Sequence, residues 1–340
     1  MHRDVYNFFP PARLLPAKAL ERVLTAFGPF HIQHLKEIRS LTGSCVEGHI
    51  IVCPLLSKQF LKLNEDFVNE KLLRAVRIAE KLGVKFLGLG AFAGAVGEGG
   101  KLLSGKTGLK MTNGTSFAAA AILENISRAA ALRSIDLSRA RVAIIGATNA
   151  IGQNCAYSLN NRVAVLGLFG KNSERLRQLG SLLQRESRST EIRNFGMDTG
   201  KFIPEADIVI FTTTAMEVSL KPCAADFKRN AVICDLPSPR NVPRELAVQR
   251  SDILVIDSAV IKPPGEIRLK IRLPLPEFHI YACMAETMIL TFERRFQENY
   301  SIGYSPDLKK IEEIAGLAGK HGFEITFNSF GKPITSDADN

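Results

Sequence analysis

Arg141-Val-Ala-Ile-Ile-Gly-Ala-Thr-Asn-Ala-Ile-Gly152 decides the fold. Val142 to Ile145 is a short, β-branched apolar run, as a strand buried on both faces requires. Gly146 turns the chain, and Ile151-Gly152-Gln153-Asn154-Cys155-Ala156 opens a helix. Strand, tight glycine turn and helix make the first unit of a dinucleotide-binding fold. In such a unit, backbone N–H groups and the positive end of the helix dipole favour a pyrophosphate. The spacing is Gly-x5-Gly. Asn149 stands where a middle glycine would be, and asparagine tolerates left-handed backbone better than most residues.

Downstream the βα rhythm is regular. Val163 to Phe169, Asp207 to Thr212, Ala231 to Asp235 and Ile253 to Ile256 read as strands, and Arg175 to Arg185 as a helix. Alternation of this kind predicts a parallel sheet covered by helices on both faces. The second strand ends in Phe169-Gly170-Lys171-Asn172-Ser173-Glu174-Arg175, with no acid directly at its tip to grip ribose hydroxyls. Lys171 and Arg175 there suit a 2′-phosphate, so NADP is expected over NAD, with Asn172 between them counted in the cofactor site. Ligands of such sheets sit outside the carboxyl ends of the strands. That places Thr212, Thr213, Thr214 and Asp235 near the nicotinamide.

Upstream, Ala17 to Phe27 and Asn69 to Leu82 have helical spacing, with Gly83 as a C-cap. Ile38 to Val52 reads as a hairpin and Val84 to Leu89 as a strand. Gly100-Lys-Leu-Leu-Ser-Gly105-Lys106-Thr107 matches the phosphate loop of many NTPases, but Gly108 and Asn113-Gly114 interrupt the helix that such a loop must start. A surface loop is expected there instead. Thr115-Ser116 caps an Ala-rich helix from Phe117 to Leu132.

The chain has 340 residues, 46% of them apolar, enough for about two domains with substantial cores. The fold expected is therefore α/β in two domains, a Rossmann-like parallel-sheet NADP-binding domain and an N-terminal α/β substrate domain. The expected boundaries are 1–137 for the substrate domain and 138–276 for the NADP-binding domain. A C-terminal helical segment, 277–330, and a flexible tail, 331–340, follow. No apolar run is long enough to cross a membrane, and Met1-His-Arg-Asp-Val-Tyr6 has no signal-peptide core. Cys45, Cys53, Cys155, Cys223, Cys234 and Cys283 lack metal-ligand spacing, which predicts reduced thiols in a cytoplasm and no metal site. The net charge of +10 is dispersed rather than run together, so an acidic partner or peripheral membrane contact is expected before nucleic acid.

Past the last strand, Tyr281-Ala-Cys283-Met-Ala-Glu286-Thr287 opens a helix that runs to about Gln297. A helix N-terminus lowers a thiol pKa and makes Cys283 a candidate nucleophile. Glu286 opposes this unless its charge is paired or turned away. A buried cysteine in an Ala/Met-rich helix is also a common small apolar filler.

This stretch resembles the Phe-Ala-Cys-Phe-Ala-Glu-Ala motif of the cyanobacterial long-chain acyl-(acyl-carrier-protein) reductases. Arg39-Ser-Leu-Thr-Gly43, Ile78-Ala-Glu-Lys-Leu-Gly83, Met111-Thr-Asn-Gly114, Pro204-Glu-Ala-Asp207 and Lys320-His-Gly-Phe323 resemble other stretches of that family in order and spacing. The likeness runs from about residue 36 to 325. It implies a cysteine thiolate that takes the acyl group from acyl carrier protein or acyl-CoA, NADPH as hydride donor, and a fatty aldehyde as product. By match, Cys283 is the nucleophile. Gly146, Thr148, Ile151 and Gly152 would hold the NADPH phosphates, with Ala147 and Asn149 in the same turn and Lys171 near the 2′-phosphate. An acidic carrier would be steered by the basic surface. The chain departs from the family at Asn149, at Thr115-Ser116-Phe117-Ala118, at Thr287 and across Gly88 to Gly108. A second reading is an NADP-dependent dehydrogenase of a small substrate, of shikimate- or amino-acid-dehydrogenase type, in which Cys283 is dispensable. A third is a nucleotide-binding sensor without catalysis. His279, Lys320 and His321 are candidates for an assisting acid or base. Oligomeric state is not legible.

Overall fold

The computed structural model describes residues 15–213, 226–236 and 240–335. By internal contacts the chain forms two compact units. One takes residues up to Gly114 together with Lys262–Gly303 and Gly316–Glu324. The other takes Thr115–Ile261, Tyr304–Ala315 and the residues from Ile325 onward.

The first unit begins with α1 (Ala17–Ala26) and an antiparallel hairpin of β1 (Phe30–Arg39) and β2 (Cys45–Val52). The hairpin turns at Ser40–Ser44, so its first strand starts well before Ile38. The polar, poorly alternating Phe30-His-Ile-Gln-His-Leu-Lys-Glu-Ile-Arg39 hid it, and its register shifts twice. After α2 (Ser57–Lys62), α3 (Glu65–Lys81) is capped by Asn64, whose side chain accepts the Phe67 amide at 3.2 Å. Gly83 takes φ +73° just past its end. Val68, Leu72 and Val76 line the buried face of α3 and meet Leu89, Leu103 and Met111. Each such side chain contributes about 1.5–3 kcal/mol on burial. β3 (Phe86–Gly88) pairs in parallel with β4 (Lys110–Thr112). The stretch between them is not a loose loop. Lys101–Ser104 is a helical turn with Leu103 buried, no helix begins at Lys106, and Thr107 Oγ1 donates to Glu80 at 2.7 Å.

The second unit opens with α4 (Thr115–Leu132), whose first turn already includes Thr115 and Ser116. A boundary near residue 137 assigns this helix to the first unit; its Ala-rich face instead packs on the second. Then follow β5 (Arg141–Ile145), α5 (Ala150–Leu159), β6 (Val165–Phe169), α6 (Ser173–Glu186), β7 (Glu191–Gly196), β8 (Ile208–Phe211), β9 (Val232–Asp235), α7 (Arg244–Gln249) and β10 (Leu254–Asp257). The six strands form one sheet in the order β10-β9-β8-β5-β6-β7, every pair parallel. Counted from β5, this is the doubly wound order 3-2-1-4-5-6. The strand direction of connection reverses between β5 and β8, so a crevice opens beyond Ile145 and Phe211. The core is apolar on both faces, with Ile145, Phe169, Phe202, Val209, Phe211 and Ile233 buried. The edge strand β7 was not legible, because Glu191-Ile-Arg-Asn-Phe-Gly196 is half polar. The tail is anchored in part: Phe330 and Gly331 donate backbone N–H groups to Asp257 at 3.1 and 2.6 Å, and Lys332–Pro333 pairs with Asn328–Ser329. Residues 336–340 lie outside the described part.

The chain returns to the first unit with α8 (Ala282–Phe292), which carries Cys283 in its first turn. Among the described residues no helix is long and apolar enough to cross a membrane.

Candidate functional site

At the crevice of the sheet, Gly146 has φ +94°. A Cβ there would lie 2.3 Å from Thr213 Cγ2 and 2.7 Å from Thr212 Oγ1, so only glycine fits. A Cβ on Gly152 would lie 2.3 Å from Gly146 O, which is the close approach that lets α5 start against the turn. Asn149 does not use the left-handed region. Its φ is −84°, and it serves as the N-cap of α5, with Oδ1 accepting the Gly152 amide at 2.8 Å. Its Nδ2 donates to Thr212 O at 3.0 Å and so ties the turn to the end of β8. The amides of Gly146 and Ala147 both donate to Phe169 O at 2.9 Å and are not offered to a phosphate. The amides of the turn and first helical turn left for an anion are those of Thr148, Ala150 and Ile151. Thr148 stands over Gly170, where a Cβ would meet its side chain at 3.1 Å.

Beyond β6, Lys171 and Arg175 are exposed. Asn172 is the N-cap of α6, accepting the Arg175 amide at 2.9 Å. The Arg175 guanidinium lies 5.3 Å from the centre of the Tyr304 ring. The neighbouring acid, Glu174, is turned along α6, bonded to Arg177 and to Gln178.

Beyond β8, Thr212 is consumed by the fold, its Oγ1 donating to Ile145 O at 3.0 Å. Thr213 Oγ1 is buried and has no partner among the described residues. Thr214 and Cys223 lie outside them. Asp235, fully buried, accepts the amides of Asn241 and Val242 and the Asn241 side chain, each at 2.8 Å. Burial pushes its carboxyl up to about 6 against the pull of those donors. Its carboxylate is therefore taken up by Asn241 and Val242 rather than standing open at the crevice. The glycine cradle, the α5 N-terminus, the orphan Thr213 hydroxyl and the two basic residues at β6 fit a phosphorylated dinucleotide.

In the first unit, three contacts fix one face of α8, at positions 283, 286 and 287. Gly114, at φ +76°, is so close that its Cβ would lie 2.2 Å from Cys283 Cα. Glu286 is wholly buried and accepts the Thr112 hydroxyl. A Cβ on Gly88 would lie 2.1 Å from Thr287 Oγ1, whose hydroxyl in turn donates to Cys283 O at 2.9 Å. Thr112 Oγ1 also accepts the amides of Gly114 and Ser301 at 3.1 and 3.3 Å. β4 thus gives Glu286 a hydrogen-bond donor, not a counter-charge. Neither Thr112 nor Gly88 stood out as a site residue; their one signal was nearness to Gly114 and to the strand ends.

Cys283 is partly buried. The desolvation pushes its thiol above the ordinary range. Amides of Ala91, Met284 and Cys283 itself pull it down, and Glu286 adds a small upward push. Burial therefore outweighs the helix N-terminus, and the shift is upward where helix position alone predicts a downward one. Ala91 holds φ +50°, a costly backbone for alanine, while its N–H reaches the sulfur. His321 is buried and spent on Glu293 at 2.6 Å and Ser40 at 3.0 Å. Lys320 is bonded to the same Glu293 at 2.5 Å. His279 bonds Glu277 O at 2.8 Å. The departing run Ser116-Phe117-Ala118 is buried inside α4 and is core.

A family model described as shikimate/quinate 5-dehydrogenase matches residues 128–258. A long-chain acyl-[acyl-carrier-protein] reductase of Synechococcus elongatus is 28% identical over 302 residues, covering 84% of this chain and 85% of that one. The resemblance read from the motifs holds over most of the chain, as that of a divergent relative. An aminotransferase PigE of a Serratia species is 26% identical over 307 residues, 88% of this chain, but the chain spans only 35% of its length. Among solved structures, shikimate 5-dehydrogenase of Listeria monocytogenes, in complex with shikimate and NAD, is 12% identical, covering 72% of this chain and 82% of that one at TM-score 0.38.

Proposed function

We propose that the protein reduces a long-chain fatty acyl thioester, carried on acyl carrier protein or CoA, to the fatty aldehyde with NADPH, through an acyl group held on Cys283. The coarser statement, an NAD(P)-dependent oxidoreductase, is supported by both the dehydrogenase family match and the reductase relative. The observation that carries the finer one is the sulfur of Cys283, set among the amides of Ala91, Met284 and Cys283 on a helix clamped by Gly114 and Thr112.

The chain's own residues do the following. Cys283 loses its proton and attacks the thioester carbonyl carbon. A new C–S bond forms, the bond to the carrier sulfur breaks, and the carrier leaves as a thiol with a proton taken up. Bound NADPH would supply a hydride to the acyl carbon. With the hydride added, the bond to Cys283 Sγ breaks, the aldehyde departs and the thiolate is restored. The amides around Sγ favour its anionic form, while its burial favours the thiol. The first turn of α5 would hold the pyrophosphate, and Lys171 and Arg175 the 2′-phosphate.

Purified protein given palmitoyl-carrier protein or palmitoyl-CoA with NADPH should produce hexadecanal and NADP+ in equal amounts. The second reading, a small-substrate dehydrogenase, is favoured by the match over 128–258. It predicts NADP+-dependent oxidation of shikimate or quinate, or of a similar small hydroxy acid, and no hexadecanal.

A further inference from the structure

The first unit carries a groove of about 720 Å³ that the chemistry above does not use. It is lined by Lys18 and Arg22 of α1 and by Lys58 and Lys62 of α2, with Leu63 and the exposed Phe67 as apolar lining beside them. Glu21 is the one carboxylate of this lining, and it is bridged to Lys58. Lys18, Arg22 and Lys62 have no carboxylate partner among the described residues. Each helix thus sets two cations four residues apart on one face. Like charges at that spacing repel each other, and of the four only Lys58 is paired among the described residues, with Glu21.

The groove is preformed. Gln59 Nε2 donates to Glu21 O at 3.0 Å and to Thr25 Oγ1 at 2.7 Å, fixing α1 to α2. Lys71 Nζ donates to Leu24 O and Thr25 O, both at 2.8 Å, and so caps the C-terminus of α1 from α3. A basic trough between two tied helices, with apolar side chains in its lining, complements a helix with an acidic face. A flat anionic membrane would instead call for a convex amphipathic face.

We infer that the groove between α1 and α2 is the docking surface for the acidic carrier protein that delivers the acyl thioester, with Lys18, Arg22 and Lys62 pairing its carboxylates. This rests on the function proposed above. Charged rims of this kind chiefly raise the association rate and select the partner.

The test is the triple variant Lys18→Glu/Arg22→Glu/Lys62→Glu, with Lys18→Gln/Arg22→Gln/Lys62→Gln as a milder companion. All three residues are exposed, and unchanged thermal melting checks the fold. Two substrates are compared: palmitoyl-carrier protein, and decanoyl-N-acetylcysteamine, a neutral thioester without carrier. Binding of bacterial holo-carrier protein, read by fluorescence anisotropy, does not depend on turnover. The expected result is a loss of carrier affinity and a rise in KM for the acylated carrier of about tenfold or more, smaller for the glutamine variant, with the N-acetylcysteamine rate unchanged. Carrier affinity unchanged in the glutamate variant overturns the inference. So does binding of the wild type to phosphatidylglycerol vesicles that is lost in the variant while carrier affinity stays the same, which would make the face a membrane contact. If the wild type reduces neither thioester but binds the carrier in a charge-dependent way, the proposed reaction falls and the docking surface stands.

Discussion

Gly114 and Cys283 are in backbone contact: a side chain on the first would have to occupy the α-carbon of the second, at 2.2 Å. Gly114 lies just beyond β4 and Cys283 in the first turn of α8, so the strand end sets where the thiol stands. Gly114→Ala must both adopt a left-handed backbone and displace α8. Together these cost roughly 2–5 kcal/mol. The variant should melt lower and lose acylation at Cys283, whereas Gly108→Ala, with nothing within 4 Å of its Cβ, should change neither. Differential scanning fluorimetry and acyl-adduct mass compare the two.

The pH dependence of the thiol follows from its burial. Its pKa is raised, so at neutral pH the reactive thiolate is scarcer than in an ordinary cysteine. Iodoacetamide should label Cys283 more slowly than exposed Cys45 at pH 7. The Cys283 rate should climb about tenfold per pH unit and still be climbing at pH 9. Peptide mapping over a pH series reads both sites. A Cys283 rate that is fast and flat from pH 6 to 9 would mean a resting thiolate.

Asp235 should make the protein lose stability as pH rises from about 4 to 6. Its carboxyl titrates at about 6 when folded and at about 3.9 when unfolded. The folded state therefore binds the proton more tightly. That contribution is complete below the unfolded value and is lost as pH passes the folded one, on the order of 2–3 kcal/mol. Asp235→Asn removes the titration. Its unfolding free energy should carry a constant offset from the lost loop bonds, but the wild type should fall relative to it across this window. Urea unfolding at pH 4, 5, 6 and 7 measures the slope.

Cofactor choice is expected to depend on Lys171. Lys171→Glu should lower kcat/KM for NADPH by about ten- to a hundredfold, the worth of a charge-assisted phosphate bond, and leave NADH nearly untouched. Arg175→Ala should act in the same direction. Equal losses with both cofactors would remove these residues from the 2′-phosphate.

The parallel sheet was legible because Val142 to Ile145, Ile208 to Phe211 and Val232 to Asp235 are continuous apolar runs with β-branched residues, which suit a strand covered on both faces. β1 and β7 escaped because edge and hairpin strands can be polar, and their sequences carry no period. The role of Asn149 was half legible. An asparagine beside a glycine turn suggests left-handed backbone as readily as a cap, and the choice depends on Thr212, 63 residues away. The clamp on α8 was less legible still. Thr112 and Glu286 are 174 residues apart, and a sequence does not show that a threonine hydroxyl will satisfy a distant buried carboxylate. Cys283 could be picked out by its helix position, but the direction of its pKa depends on how much protein surrounds it.

The most direct measurement is intact-protein mass after brief incubation with palmitoyl-CoA or palmitoyl-carrier protein, without NADPH, for the wild type and Cys283→Ala. The account predicts a palmitoyl adduct on the wild type alone, discharged as hexadecanal when NADPH is added. An unmodified wild type that still binds NADPH, or an equal adduct on both proteins, would contradict it.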